Sequence, residues 1–189
     1  MVRRIILASN SPRRKQLMEG LDIPFEVMVL PGIDEDYPEG TPVERIAECI
    51  ALKKSEPYKG VMEDDWLVVT ADTTVVVDDE VLGKPKDKAD AQRMLHAISG
   101  RTHQVVTGVC LTTKETQRSF SVSTDVTFKQ LSDEEIDYYI DKYKPFDKAG
   151  AYGIQEWIGY IGVTGLNGSY FNVMGLPVQR LSEELKKWS

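Results

Sequence analysis

Residues 3–20, RRIILASNSPRRKQLMEG, pass from an apolar run through a polar turn into the start of a helix. The run at residues 3–8 is typical of a short buried strand. Ser11 is a preferred N-cap residue, and Pro12 fits the first helical position, where its missing N–H costs nothing. A strand that leads directly into a helix in this way is typical of α/β proteins.

The first turn of this helix carries Arg13 and Arg14, although the helix dipole makes that end positive and favours acidic residues there. Ser9 and Ser11 add two hydroxyls beside the first-turn N–H groups. Ligands of open α/β sheets bind where a strand ends and a helix begins, and a polyphosphate or another multiply charged anion would satisfy these donors together. The alternative is that the arginines pair with surface carboxylates such as those of residues 34–36.

The rest of the chain alternates between strand and helix patterns. Strands are predicted at residues 24–30, 65–72, 102–113 and 117–131, and a hairpin at 73–85 turns near Asp78-Asp79. Helices are predicted at 41–56, with good capping, at 87–99, at 132–143 and in the closing segment LPVQRLSEELKKW. Because the two strands that flank Lys114-Glu115 form a long antiparallel pair, we expect a mixed sheet in a single domain over residues 1–189.

Composition limits the partners of the protein. The chain has 189 residues, a net charge of −7 and a pI of about 5.0, so its overall field repels nucleic acid and anionic membranes. The apolar run IILA is too short for a signal peptide or a membrane span. Cys49 and Cys110 have no zinc-site spacing and are expected to be small buried side chains in a reducing environment. These features predict a cytoplasmic protein with a local anion site.

Three further charged positions lie beside apolar strands. Asp72 follows a buried run, where an aspartate either caps a turn or faces a cleft. Lys84 is placed on a constrained turn between a glycine and a proline, or is an ordinary solvated lysine. The positive charges of Lys53 and Lys54 complement the dipole at a helix C-terminus. This role explains one of the two lysines well and the second less well.

The segment at residues 145–175 is rich in glycine and aromatic residues. Such a composition suits either a loop that wraps a planar ligand, with Gln155 reading hydrogen-bonding edges, or an irregular aromatic core. His96 and His103 have no metal-site or catalytic-triad spacing, so neither is expected to take part in catalysis.

The order and spacing of several short motifs resemble the Maf family of nucleotide pyrophosphatases over residues 5–187. These motifs are LASNSPRR, IDE, ALKKS, TADTTV, LGKP, ISGRTHQVVTGV, DKAGAYGIQ and NVMGLP. The resemblance implies a fold like that of the inosine triphosphate pyrophosphatases, with a mixed, strongly curved sheet flanked by helices and two lobes around a deep cleft. It also implies a homodimer that hydrolyses a nucleoside triphosphate to the monophosphate and pyrophosphate with Mg²⁺ or Mn²⁺.

The same resemblance implies roles for individual residues. Asp72 matches the catalytic base, and Glu35 together with Asp72 matches the metal-binding positions, although the sequence alone does not choose between Asp34, Glu35 and Asp36. The phosphate-binding positions are Ser9, Ser11, Arg13, Arg14, Lys54 and Lys84. The positions tied to substrate choice are Arg13, Thr73 and Gln155, and the GIQ form favours dTTP, UTP and modified pyrimidine triphosphates.

Two other functions remain open at this point. The family has been linked to arrest of septum formation, so one alternative is a non-catalytic nucleotide-binding regulator of cell division. The other is a house-cleaning pyrophosphatase for purine triphosphates carrying inosine or methylated guanine. A pure binding protein would not require Asp72, whereas a panel of substrates would identify a purine enzyme. The Gln155→Glu variant should shift the substrate preference if Gln155 reads the base.

Overall fold

The structure is a computed structural model that describes residues 4–188. Within these residues a sheet of seven strands is flanked by helices. The strands are β1 (Arg4–Leu7), β2 (Glu26–Val27), β3 (Trp66–Val77), β4 (Glu80–Leu82), β5 (Thr102–Thr112), β6 (Gln117–Phe128) and β7 (Val163–Asn167). The helices are α1 (Pro12–Glu19), α2 (Val43–Ser55), α3 (Lys88–Ile98), α4 (Asp133–Tyr143), α5 (Trp157–Gly162), α6 (Tyr170–Met174) and α7 (Val178–Leu185).

The sheet is mixed, as the sequence predicts. Its strand order is β2-β1-β3-β5-β6-β7, and β4 pairs with β3 outside this path. Strand β1 runs parallel to β2 and β3, whereas the β3–β4 and β6–β7 pairs are antiparallel. The expected α/β fold with a mixed sheet and flanking helices is therefore confirmed. Of the predicted first strand, Arg3 lies outside the described residues.

The chain divides into two compact units. The described part of unit 1 covers residues 4–73, 107–122 and 175–188, and unit 2 covers residues 74–106 and 123–174. Strands β3, β5 and β6 contribute residues to both. Each unit has its own apolar cluster, because each buries one side of its strands against its own helices and loops.

Unit 1 is organised by the parallel pairing of β1 with the first half of β3. Ile6 lies opposite Val68, and both are completely buried in a cluster with Tyr58 and Trp66. This pairing places the end of β1, and therefore the start of α1, beside the middle of β3. The functional residues described below belong mainly to this unit.

The core of unit 2 includes the aromatic and imidazole rings of His103, Phe128, Tyr139 and Tyr152, which are all buried. The β3–β4 hairpin turns at Asp78 and Asp79, whose φ angles of 48° and 62° fit a type I′ turn. The hairpin turn predicted from the sequence is confirmed. No helix of the described residues is long and apolar enough to cross a bilayer.

Two strand predictions need correction. The strand predicted at 24–30 is only Glu26–Val27, because these two residues pair with Ile6 and Leu7 at the end of the short strand β1. The strand predicted to end at Asp72 instead continues to Val77. The β-branched residues that follow Asp72 favour the extended conformation. Asp72 therefore lies within a strand and does not follow one.

Two predictions on helices and loops are also wrong in part. Helix α2 begins after Pro42 without a side-chain cap, and the Thr41 hydroxyl donates to the carbonyl of Pro38 at 2.6 Å. The segment at 145–175 is not irregular throughout, since it contains α5, β7 and α6. Within α5 a Cβ on Gly159 would lie 1.8 Å from the carbonyl oxygen of Ile154. A close approach of this kind cannot be read from the glycine content of the segment.

Candidate active site

The turn between β1 and α1 has the predicted cap. The Ser11 hydroxyl accepts the backbone N–H of Arg14 at 3.3 Å, and the Ser9 hydroxyl accepts the backbone N–H of Ser11 at 3.2 Å. The first turn contains no acidic residue. It also offers fewer backbone donors than the sequence predicts, because Pro12 has no N–H and Ser11 already satisfies Arg14. Anion binding at this turn must therefore depend strongly on side chains.

Arg14 is held by neutral partners on one edge of its guanidinium group. Its Nε–H donates to the carbonyl of Gly175 at 2.8 Å, and its Nη2 donates to the Thr73 hydroxyl at 3.1 Å. Burial lowers the pKa of Arg14, and the negative charges of Asp72 and Glu35 oppose this shift. Among the described residues no carboxylate lies within 4.0 Å of this guanidinium. Its remaining N–H groups are therefore suited to bind an anion.

Lys54 joins two acidic side chains from different segments. Its Nζ lies 2.8 Å from Oδ1 of Asp72 and 2.9 Å from Oε1 of Glu35. The side chains of Lys54 and Asp72 are each 14% exposed, so this pair is largely shielded from water, whereas that of Glu35 is 47% exposed. Strand β3 supplies Asp72, helix α2 supplies Lys54 and the acidic loop supplies Glu35.

The acidic loop at residues 34–36 divides its side chains between two neighbouring lysines. Lys53 lies 3.6 Å from Oδ2 of Asp34 and also contacts the carboxylate of Asp36. Lys54 contacts Glu35, the residue between them. Of these three acids, only Glu35 shares a cation with Asp72. The division of the acids between Lys53 and Lys54 also explains why α2 ends with two lysines.

Two of the residues singled out from the sequence belong to unit 2. Lys84 is exposed and follows Gly83, whose carbonyl accepts the N–H of Gly150 at 3.1 Å. Gln155 is half-buried, and its Oε1 is buried without a hydrogen-bond partner among the described residues. An acceptor in this condition favours a ligand that presents an N–H group.

Sequence reasoning assigned no role to several residues that hold these side chains. Thr107 lies beside Thr73, and Gly175 lies beside Arg14. Both residues belong to motifs noted in the sequence, VVTGV and NVMGLP. In unit 2 Lys148 forms a half-buried ion pair, at 2.9 Å, with Glu156, the residue that follows Gln155. The partners of Thr107 and Gly175 lie far away along the chain, so the motifs did not reveal these contacts.

His103 and Cys110 are buried, whereas Cys49 is only half-buried, so the expectation that both cysteines are buried holds for Cys110 alone. His103 is buried, and its Nε2 lies 2.6 Å from the Tyr152 hydroxyl. Burial lowers its pKa to about 4, so the imidazole is neutral near pH 7. Both cysteines are unbridged; Cys110 is buried and Cys49 half-buried.

The donors around Lys54 suit a divalent cation that is shared with a substrate. Residues 4–188 contain no group of three or more His, Cys, Asp or Glu side chains arranged to hold a metal. Glu35 and Asp72 nevertheless converge on one ammonium group and provide hard oxygen donors. Mg²⁺ is commonly held by one or two carboxylates while substrate phosphates and water complete its coordination. The residues present therefore fit such a cation.

Comparison with known proteins identifies relatives over nearly the whole chain. The model of a family described as Maf-like protein matches residues 4–188. The chain is 63% identical to a dTTP/UTP pyrophosphatase of Phocaeicola vulgatus, over 97% of this chain and 95% of that protein. It is 58% identical to a dTTP/UTP pyrophosphatase of Parabacteroides distasonis, with the same coverage of both chains.

Solved structures support the fold independently. The Ham1 protein of Staphylococcus aureus superposes with a TM-score of 0.57 at 16% identity, covering 99% of this chain and 100% of that one. A HAM1 protein from Coxiella burnetii gives a TM-score of 0.53, also at 16% identity and with the same coverage. At this identity the likeness establishes a shared fold and nothing about function.

Proposed function

The chain belongs to the Maf-like protein family, and on that premise we propose that it is a nucleoside triphosphate pyrophosphatase acting on dTTP and UTP. Water would attack the α-phosphorus and break its bond to the oxygen that bridges to the β-phosphate. The products are the nucleoside monophosphate and pyrophosphate. Such a reaction would remove unwanted pyrimidine triphosphates, including modified ones, from the nucleotide pool.

The observation that carries this proposal is the pairing of a positively charged turn with an acidic cluster in unit 1. Arg14 is half-buried, and its guanidinium is hydrogen-bonded only to neutral groups among the described residues, so its positive charge lacks an ion-pair partner there. Asp72 and Glu35 meet at Lys54, and both act electrostatically on Arg14. A triphosphate supplies the missing negative charge, and a carboxylate beside it can serve as a base.

The side chains of the chain itself account for most of the reaction. Arg14, together with Arg13 and Ser11 at the same turn, would hold the phosphate oxygens and stabilise the charge that develops on them. Asp72 would orient the attacking water and accept its proton at a carboxylate oxygen. Lys54 would keep Asp72 and Glu35 in place and add positive charge.

Glu35 and Asp72 are the residues that would hold Mg²⁺ or Mn²⁺. Such a cation, when bound, supplies positive charge against the phosphate oxygens. Because only two protein carboxylates are offered, affinity for the metal is expected to rise when substrate is present. Lys84, Ser9 and Lys54 complete the proposed phosphate-binding set by resemblance.

Recognition of the base is proposed to depend on Gln155, and by resemblance on Arg13 and Thr73. The buried Oε1 of Gln155 can accept an N–H, and uracil and thymine both present one at N3. The relatives named as dTTP/UTP pyrophosphatases support this choice of base. The Gln155→Glu variant should change the ratio of activities among bases while pyrophosphate release from the best substrate persists.

The decisive experiment measures pyrophosphate release from dTTP, UTP, modified pyrimidine triphosphates, ITP and 7-methyl-GTP with Mg²⁺ or Mn²⁺. We expect metal-dependent release that is fastest with dTTP and UTP. The Asp72→Asn variant should lose at least about 10²-fold in kcat because the base is removed. Asp64→Asn is the matched control, since Asp64 is an exposed aspartate that also pairs with a lysine, Lys114, at 2.6 Å.

Each alternative function has its own outcome in this experiment. Fastest release from ITP or 7-methyl-GTP would identify a purine enzyme. Tight nucleotide binding with no release from any triphosphate, unchanged in Asp72→Asn, would identify a non-catalytic regulator of the kind linked to septum formation.

Two wider expectations accompany the proposed function. We propose that the protein forms a homodimer, which sedimentation equilibrium would test through the measured mass. We also propose a cytoplasmic location, where nucleoside triphosphates are made and used. Fractionation of cells carrying a tagged copy would test that location.

A further inference from the structure

The guanidinium of Arg14 is the centre of a hydrogen-bonded group that extends to Thr107. The Thr73 hydroxyl, which accepts Nη2–H of Arg14, lies 2.9 Å from the Thr107 hydroxyl and 3.5 Å from the carbonyl of Gly175. That carbonyl also accepts Nε–H of Arg14. Arg14, Thr73, Thr107 and Gly175 all belong to unit 1, and we call them the Arg14 clamp.

The hydrogen-bonding capacity of Thr73 is filled by this clamp. A hydroxyl donates once and accepts twice. The Thr73 hydroxyl accepts from Arg14, shares a hydrogen bond with the Thr107 hydroxyl, and has the Gly175 carbonyl as an acceptor at 3.5 Å. Because these three contacts engage the half-buried hydroxyl, they favour a role on the phosphate side over one beside a nucleobase.

The outer members of the clamp are fixed by the fold. Thr107 is completely buried on β5, which is the neighbour of β3 in the sheet, so its hydroxyl is held opposite Thr73. Gly175 has a φ angle of 123°, a conformation that side-chain-bearing residues rarely adopt. Its carbonyl direction therefore depends on the residue being glycine.

We propose that Thr107 is a positioning residue that acts through Thr73 to hold the guanidinium of Arg14 for a phosphate group. This inference rests on the proposed function, and it changes the role that resemblance gives to Thr73. The clamp occupies Nε–H and one Nη2–H, so the opposite edge of the guanidinium faces the ligand. A loose Arg14 would bind phosphate less well whichever base the nucleotide carries.

The test compares Thr107→Val, Thr107→Ser and wild type. Loss of one hydrogen bond that orients a charged group should raise KM for both dTTP and UTP about 5- to 10-fold, with a smaller change in kcat. The inhibition constant of inorganic pyrophosphate should rise by the same factor, and the ratio of dTTP to UTP activity should stay constant. Thr107→Ser, which keeps the hydroxyl, should restore the wild-type values. Thr112→Val is the control for removing another buried threonine hydroxyl from β5.

Two results would overturn the proposal. One is a Thr107→Val enzyme with unchanged KM and pyrophosphate inhibition. The other is a changed preference among bases with unchanged pyrophosphate inhibition, which would place Thr73 beside the base. If Thr107→Val does not fold, the same comparison is made with Thr73→Val and Thr73→Ser, since Thr73 is only half-buried.

Failure of the proposed function would look different. If wild type releases pyrophosphate from no triphosphate, calorimetric binding of inorganic pyrophosphate to wild type and Thr107→Val still measures the clamp. Equal affinities in that experiment would disprove the clamp, and weaker binding by the variant would support it without any catalytic assay.

Discussion

Arg14, which is half-buried in unit 1, and His103, which is buried in unit 2, are both basic side chains, and burial lowers the pKa of each. The consequences of burial differ for the two side chains, because an arginine does not give up its proton in a protein, whereas a histidine does so readily. His103 becomes neutral and fits an aromatic core beside Phe128 and Tyr152. Arg14 remains charged, and the proposed phosphate would supply the opposite charge that its neutral hydrogen-bond partners lack.

This difference distinguishes a residue of the buried core from a residue of the proposed ligand-binding site. A buried imidazole can lose its charge by giving up a proton; the Tyr152 hydroxyl then bonds Nε2 of His103 at 2.6 Å, whereas Nδ1 has no hydrogen-bond partner among the described residues. A charge that is partly removed from water favours an opposite charge nearby, and the described residues give Arg14 none within ion-pair distance. For this reason we place the proposed phosphate site at Arg14.

The largest expected effect that tests the comparison is the pH dependence of stability. Folded His103 has a pKa of about 4, against about 6.5 in the unfolded chain, so the unfolded state binds more protons between these values. The contribution of His103 is complete above about pH 6.5 and is lost as the pH falls towards 4. The loss should be about 3 kcal/mol of unfolding free energy, measured by urea unfolding at a series of pH values.

Variants at the two histidines isolate this effect. His103→Gln keeps a hydrogen-bonding group for Tyr152 but cannot take up a proton in this range, so its stability should fall less than that of wild type. His96→Gln is the control, because His96 is the other histidine and its side chain is 52% exposed. Equal pH slopes for wild type and His103→Gln would show that the core does not depend on a neutral imidazole.

The next largest effect should appear when Arg14 is replaced by methionine. Loss of the guanidinium removes charge-assisted contacts to phosphate and should lower kcat/KM about 100-fold, or about 2.7 kcal/mol. The free energy of unfolding without ligand should change little, because a half-buried charge that has no ion-pair partner is replaced by an apolar side chain. Steady-state kinetics and urea unfolding on the same preparations would measure both.

Arg45→Met is the matched control for that prediction. Arg45 is in the same unit, is 63% exposed and pairs with Glu48 at 3.2 Å, so its loss should leave kcat/KM unchanged. A large loss of stability in Arg14→Met would contradict the comparison, since it would mean that Arg14 serves the fold as His103 does.

Sequence reasoning reached the parts of this site that depend on neighbours in the chain. Ser11, Pro12 and the arginines that follow them predict the cap and the cationic turn, and both are present. Asp72 was located by its motif, but its place inside β3 depends on pairing with other strands. The partner of Arg14 is the carbonyl of Gly175, 161 residues away, and no local pattern contains such a contact.

The smallest expected effect concerns two helix caps of similar geometry. The Ser132 hydroxyl accepts the N–H of Glu135 at 3.2 Å at the start of α4, much as Ser11 does for Arg14 at 3.3 Å in α1. The first turn of α4 carries three acidic residues that complement the helix dipole, whereas that of α1 carries none.

Ser132→Ala should therefore cost about 1 kcal/mol of stability and leave KM unchanged. Ser11→Ala should cost a similar amount of stability and should also raise KM. The cap that it removes orients the turn whose positive charge is proposed to bind phosphate. An unchanged KM in Ser11→Ala would mean that Arg14 is held by its side-chain clamp alone, with no help from the cap.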